Sequence, residues 1–120
     1  MKKIILSIVG LILSTGVLAE TNAGAGQKWY GPYTLAKVAR YWDGTHKMSV
    51  HVQETPDTSC DITNHEKKFT YHPNDDIMAT YLFSAAAAAQ AQNKKVMLLI
   101  ANTCHNIYGL NLVGVEIISE

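Results

Sequence analysis

The sequence predicts a small, mainly β domain with one helix, exported and stapled by a disulfide. Three observations predict it. Short stretches of alternating apolar and polar residues flank one long alanine-rich run, the N-terminus has a three-part export-signal build, and both cysteines lie in the exported part.

The opening stretch, "MKKIILSIVGLILSTGVLAE", carries Lys2 and Lys3, an apolar run over residues 4–13, and small residues at Val17 and Ala19. Cleavage is expected after Ala19, because small residues at −3 and −1 fit a signal peptidase. The apolar run is roughly 10 residues long against the ~20 that span a bilayer, so no membrane span is expected after cleavage. The short Lys-Lys start fits bacterial export, and the expected location is periplasmic or secreted. The expected organisation is a signal over 1–19, a flexible segment over 20–32 and one domain over 33–120.

Ten Lys and Arg balance ten Asp and Glu; without Lys2 and Lys3, eight face ten, a net of −2. A nucleic-acid binder carries a basic stripe and a high pI. This chain has only the pairs Lys67-Lys68 and Lys94-Lys95, so neither nucleic acid nor anionic lipid is an expected partner. An even number of cysteines in an exported chain oxidises together. Cys60 and Cys104 lie 44 residues apart, a closure worth about 3–4 kcal/mol in the chain-entropy model. A core of this size gains from one such staple.

Taken in order, Trp29 and Tyr30 mark where order begins, and Gly31-Pro32 launches the first strand. "YTLAKVARYWDGTHKMSVHVQE" reads as a hairpin, since Met48, Val50 and Val52 alternate with Ser49, His51 and Gln53. A two-residue loop would set Lys37 opposite Val50. A three-residue loop over 42–44, with Gly44 in the left-handed region, pairs Val38 with Met48 and keeps that lysine off the buried face. On this register Leu35, Lys37 and Tyr41 point away from the core and Trp42 sits at the tip. Residues 60–71 read as two strand portions around the polar bend "TNHEKK". The helix begins at "NDDIMATYLF", capped by Asn74 or Asp75. Stepping 100° per residue puts Ile77, Met78, Tyr81, Leu82, Ala85 and Ala89 on the buried face. Asn93, Lys94 and Lys95 end it. "VMLLIA" (96–101) is a central strand, and "LVGVEIIS" a last strand with Val113, Val115 and Ile117 inward.

Three strands, a helix and two strands within about 100 residues is the order of an OB-fold five-stranded barrel (β-β-β-α-β-β), its helix plugging one end. The alanines admit two readings. They raise helix propensity and let the helix lie close on the barrel. They also leave the opposite face, with Thr80, Phe83 and Ala87, free of charge between Asp76 and Lys94, as a subunit interface would be.

On the export signal, the hairpin "ARYWDGTHKMSVHV", Cys60, the block "TYLFSAAAAAQAQNKKVMLLI" and the ending "LNLVGVEII", the chain resembles the binding (B) subunits of bacterial AB5 toxins. The resemblance is to the subtilase-cytotoxin and typhoid-toxin type, and to solitary exported proteins of the same build; it runs from Tyr33 to Ile118. It implies a homopentamer with helices lining a central pore, and glycan binding on barrel side faces through serine and aromatic residues. No sugar-binding residue carries over by alignment.

Tyr41, Trp42 and Asp43 form the best candidate ligand-binding cluster. Aromatic faces stack on pyranose rings and a carboxylate accepts from sugar hydroxyls; the plainer reading is that Trp42 folds back over the barrel rim. Ser49, His51 and Gln53 read as solvated strand surface, His105, Asn106 and Tyr108 as a polar loop. Histidines 46, 51, 65, 72 and 105 share no ligand spacing, so no metal and no cofactor is expected. Nor is an enzyme expected, for there is no nucleophile elbow and no motif of paired acids. The expected function is recognition of a glycan or a surface protein by a homo-oligomer. The alternative is a monomeric periplasmic protein that binds a protein partner, as an inhibitor or envelope accessory factor.

Overall fold

The structure, a computed structural model, describes residues 19–24, 26–58, 67–101 and 109–119. Its strands are β1 (Ala19–Gly24), β2 (Gln27–Tyr33), β3 (Leu35–Trp42), β4 (His46–Val52), β5 (Lys68–Tyr71), β6 (Val96–Ala101) and β7 (Leu110–Ile117), with one helix, α1 (Asp76–Ala91), between β5 and β6. The described residues are mainly β with one helix, as the alternation predicts. Among the described residues seven strands stand where five are expected. Most of segment 20–32, expected to be loose, lies in β1 and β2, which pair antiparallel with Glu20 opposite Tyr30. The signal up to residue 18 and both cysteines fall outside the described residues.

The hydrogen-bonded order is β1-β2-β6-β7-β5-β4-β3. All pairs are antiparallel except β5 with β7, where Phe69 faces Leu110. Only Thr34 separates β2 from β3, so the order from β2 round to β3 begins and ends on one continuous stretch of chain. At that break the ladder gives way to side-chain bonds. The Thr34 N–H and hydroxyl donate to the two carboxylate oxygens of Glu54, each at 2.8 Å, and the Gln53 N–H donates to the Thr34 carbonyl at 3.0 Å. Backbone groups leaving a ladder need such partners. Just upstream, Gly31 has φ +132°, and a Cβ there would lie 2.8 Å from the Val96 carbonyl oxygen, so only glycine fits.

The β3–β4 hairpin has a three-residue loop, but over 43–45 rather than 42–44. Trp42 pairs with His46, Arg40 with Met48 and Val38 with Val50, in place of the expected Val38 with Met48. Gly44 still takes the left-handed conformation, φ +100°. Lys37 remains exposed, as the lysine argument requires. Leu35 is a correction: it is buried, because the register shifts by one residue between Leu35 and Lys37 and sets Leu35 opposite Val52. Such a bulge reverses which face the following residues occupy. A second shift does the same near the other end. Ile100 pairs with Leu112 and Leu99 with Gly114, so Val113 is skipped and Leu112 takes the inward place expected of it.

The core collects Tyr33, Met48, Val50, Phe69, Val96, Leu98, Leu110 and Leu112. Tyr33 and Phe69 meet at 5.5 Å between ring centroids, tilted by 50°. Strand β6 is central, flanked by β2 and β7, with Val96, Leu98 and Ile100 buried and Met97, Leu99 and Ala101 half-buried.

Helix α1 starts as the sequence says and packs as it does not. Asp75 is the N-cap, its Oδ1 accepting from the Met78 N–H at 3.1 Å. At the other end Asn93 is left-handed (φ 54°), with Lys94 N–H donating to Ala89 and Asn93 N–H to Gln90, a Schellman ending. The buried stripe is Ala79, Leu82, Ala86 and Ala89. Ile77, Met78 and Tyr81, expected inside, are exposed, and Phe83 packs against the core. Three alanines on the inner face bring the helix axis close to the strands, leaving no room there for the larger side chains. Two polar contacts fix its direction along β3: Arg40 to Asp76 near one end, and Gln90 Nε2 to the Ala36 carbonyl (3.2 Å) near the other.

Candidate functional site

The shifted loop decides what surrounds Trp42. With three residues in the turn, Trp42 and His46 stand directly opposite, and their rings meet edge to face at 4.9 Å. Arg40 lies two residues earlier on the same face. Its guanidinium donates to the carbonyls of Tyr41 (3.4 Å) and Lys47 (3.2 Å), to His46 Nδ1 (3.1 Å) and to Asp76 Oδ1 (2.5 Å). The His46 N–H donates to Asn74 Oδ1 at 3.0 Å. The hairpin tip is thereby tied to the first turn of α1 by side chains from β3, β4 and the helix entry.

Trp42 does not fold back. It is 64% exposed, and the Tyr81 ring (66%) and Ile77 (68%) on α1 are equally open, with Met78 beside them. Of the five large apolar side chains exposed among the described residues, four belong to the hairpin tip and the N-terminal half of α1. Aromatic residues concentrated this way mark recognition surfaces more often than scattered ones do.

The three predicted ligand residues are divided by the strand. Tyr41 and Trp42 are successive strand residues and face opposite ways. Tyr41 is half-buried on the outer face, with Lys68 Nζ 6.0 Å from its ring centroid. That face also carries Ser49 and Thr70, paired across β4 and β5 and both buried. Asp43 is in the turn, where its carboxylate accepts from the Thr45 hydroxyl at 3.4 Å and pairs with Lys47 Nζ at 3.3 Å. Lys47, only 3% exposed, also donates to the Thr45 hydroxyl. A buried ammonium needs such partners. Of the predicted interface residues, Thr80 is exposed, Ala87 half-buried and Phe83 turned toward the core.

No protein-family model, curated protein or solved structure matches the chain. What the site can do therefore follows from its own chemistry. It offers an open indole with a carboxylate in the adjoining turn, on a tip tied through Arg40 and His46 to the entry of α1.

Arg40, His46 and Asp76 are the residues the sequence reading missed. Their signal is the register: once Trp42 leaves the turn and pairs with His46, Arg40 lies one step along the same face. Asp75 does double duty, since its Oδ2 accepts from the Tyr71 hydroxyl at 3.3 Å. Burial first, then the Asp75 charge and that hydrogen bond, push the Tyr71 hydroxyl above its usual value. Among the described residues no group of three His, Cys, Asp or Glu could hold a metal ion, and no helix is long and apolar enough to cross a membrane. A cavity of about 250 Å³ lined by Gln92, Asn93, Lys94, Lys95, Ile118 and Ser119 lies at the far end of α1 and holds none of the predicted site residues.

Proposed function

We propose that this chain is an exported binding protein with an OB-type barrel, similar to AB5-toxin B subunits, that recognises glycans or another surface ligand through its β3–β4 hairpin tip. The observation that carries the reading is Trp42, open to solvent and steadied by His46. An indole that the fold holds outward at a loop tip loses little entropy on stacking against a sugar ring or a partner side chain. The barrel assignment is supported by the parallel β5–β7 pair and by the return of the strand order onto the continuous β2–Thr34–β3 stretch.

A homo-oligomer is part of the same reading. Its support is the exposed side of α1, where Ile77, Met78 and Tyr81 replace Phe83 as the contact residues. Molecular mass in solution separates this from the monomeric alternative, in which the same apolar surface meets a protein partner. A glycan array probed with the exported protein tests the ligand class. Specific binding supports the reading, and a blank array with an oligomeric, folded protein removes the glycan from it.

A further inference from the structure

The bonds around His46 have a consequence that depends on its proton. Its Nδ1 lies 3.1 Å from Arg40 Nη2, and a guanidinium only donates, so Nδ1 is the acceptor and the ring is neutral in this arrangement. The same Nδ1 is 3.6 Å from Asp76 Oδ1, beyond hydrogen-bond reach. Protonation takes away the lone pair that Arg40 uses. It sets two cations against each other and gives Nδ1 a proton to donate to Asp76, the nearest carboxylate. Arg40 keeps its carbonyl acceptors on Tyr41 and Lys47.

We propose that Arg40, His46 and Asp76 form a proton-operated latch between the hairpin tip and the first turn of α1, and that the latch sets the pose of Trp42. In the neutral state Arg40 bridges His46 and Asp76. In the protonated state His46 turns to Asp76 directly and its ring moves against the indole it abuts. The charged groups around it are Arg40 from β3, Asp76 from α1, and, at the turn, Asp43 paired with Lys47; Asp75 is engaged by Tyr71. Asp76 Oδ1, 3.6 Å from Nδ1, is the carboxylate that takes the hand-over. The latch stands on geometry alone. Its effect on ligand binding rests on the reading of Trp42 as the contact residue.

The test is a pH titration of the ¹⁵N-labelled full chain by NMR over roughly pH 5–8, where imidazoles exchange protons. The ring nitrogens of His46 and the Trp42 indole N–H are followed, each assigned by its loss in His46→Gln and Trp42→Phe. At the alkaline end the latch requires the tautomer with its proton on Nε2. On acidification the Trp42 signal should move together with His46 protonation, and the movement should vanish in His46→Gln. In Asp76→Asn, which lacks the carboxylate that takes the Nδ1 proton, the acid-side movement of the Trp42 signal should shrink. An Nδ1–H tautomer at the alkaline end overturns the proposal, as does a Trp42 signal that moves equally in His46→Gln. The tautomer is read on the unaltered protein, so the proposal stays testable if a variant fails to fold. No glycan enters the measurement, so its outcome is independent of the ligand assignment.

Discussion

Glu54 holds Thr34 with both carboxylate oxygens, one on the backbone N–H and one on the hydroxyl, each at 2.8 Å. This clamp sits where the chain leaves the β2–β6 ladder and joins the β3–β4 ladder. Removing it by Glu54→Ala leaves two donors without their acceptor. Hydrogen bonds to charged groups contribute about 1.5–3 kcal/mol, and partial exposure places this one toward the lower end. Urea unfolding should show a loss of about 1–2 kcal/mol with an unchanged m-value.

The same pair fixes an acid dependence. Burial pushes the Glu54 carboxyl up, but the Thr34 backbone and hydroxyl bonds, with Lys95 nearby, outweigh it and hold the carboxyl below the ordinary 4.5. A carboxylate with a depressed folded-state value stabilises the fold above its unfolded value, and that contribution is lost as pH falls through the folded one. Unfolding midpoints measured below about pH 5 should therefore decline less steeply in Glu54→Gln than in the unaltered protein.

Gly31 admits no side chain. A Cβ would meet the Val96 carbonyl at 2.8 Å, Met97 Sδ at 3.1 Å and Tyr33 N at 3.2 Å, on a backbone with φ +132°. Gly31→Ala should cost at least about 2 kcal/mol in thermal or urea unfolding, because steric overlap and backbone strain add.

The helix makes opposite predictions for its two faces. Ala86→Leu forces three heavy atoms into a fully buried site and should destabilise by about 1–3 kcal/mol. Tyr81→Ser removes an exposed ring and should leave unfolding within about 0.5 kcal/mol. If copies associate through this face, Tyr81→Ser lowers the molecular mass measured by light scattering. An oligomer unmoved by that change has its contacts elsewhere.

How much of this was legible from the residues depends on the element. The inner face of the hairpin was readable, because the alternation of Met48, Val50 and Val52 fixes parity; the other face was not, for Ser49, expected in solvent, is buried. Nor were the hairpin's exact partners. Loops over 42–44 and 43–45 differ by two residues in register, which preserves every face, so no pattern of burial separates them. Leu35 and Val113 were misassigned for a different reason: each adjoins a one-residue register shift that alternation cannot foresee. On the helix, the 100° steps drew the buried stripe through Ile77 and Tyr81, whereas packing draws it through Ala79, Leu82, Ala86 and Ala89. The termini of α1 were legible because caps are local chemistry: Asp75 begins it and Asn93 ends it.

The proposed staple between Cys60 and Cys104 has its own check. The exported protein should be lighter by two hydrogens than its reduced form, and reduction should lower its stability by about 2–4 kcal/mol. Thiols that react freely with an alkylating agent in the native protein contradict it.

The central claim is that Trp42 at the hairpin tip makes the ligand contact, and its most direct measurement compares Trp42→Ala with the unaltered protein on one glycan array. The account predicts specific binding by the unaltered protein, its loss in the variant, and unfolding midpoints that agree within about 0.5 kcal/mol, since the ring is exposed. Equal binding by both proteins would contradict it.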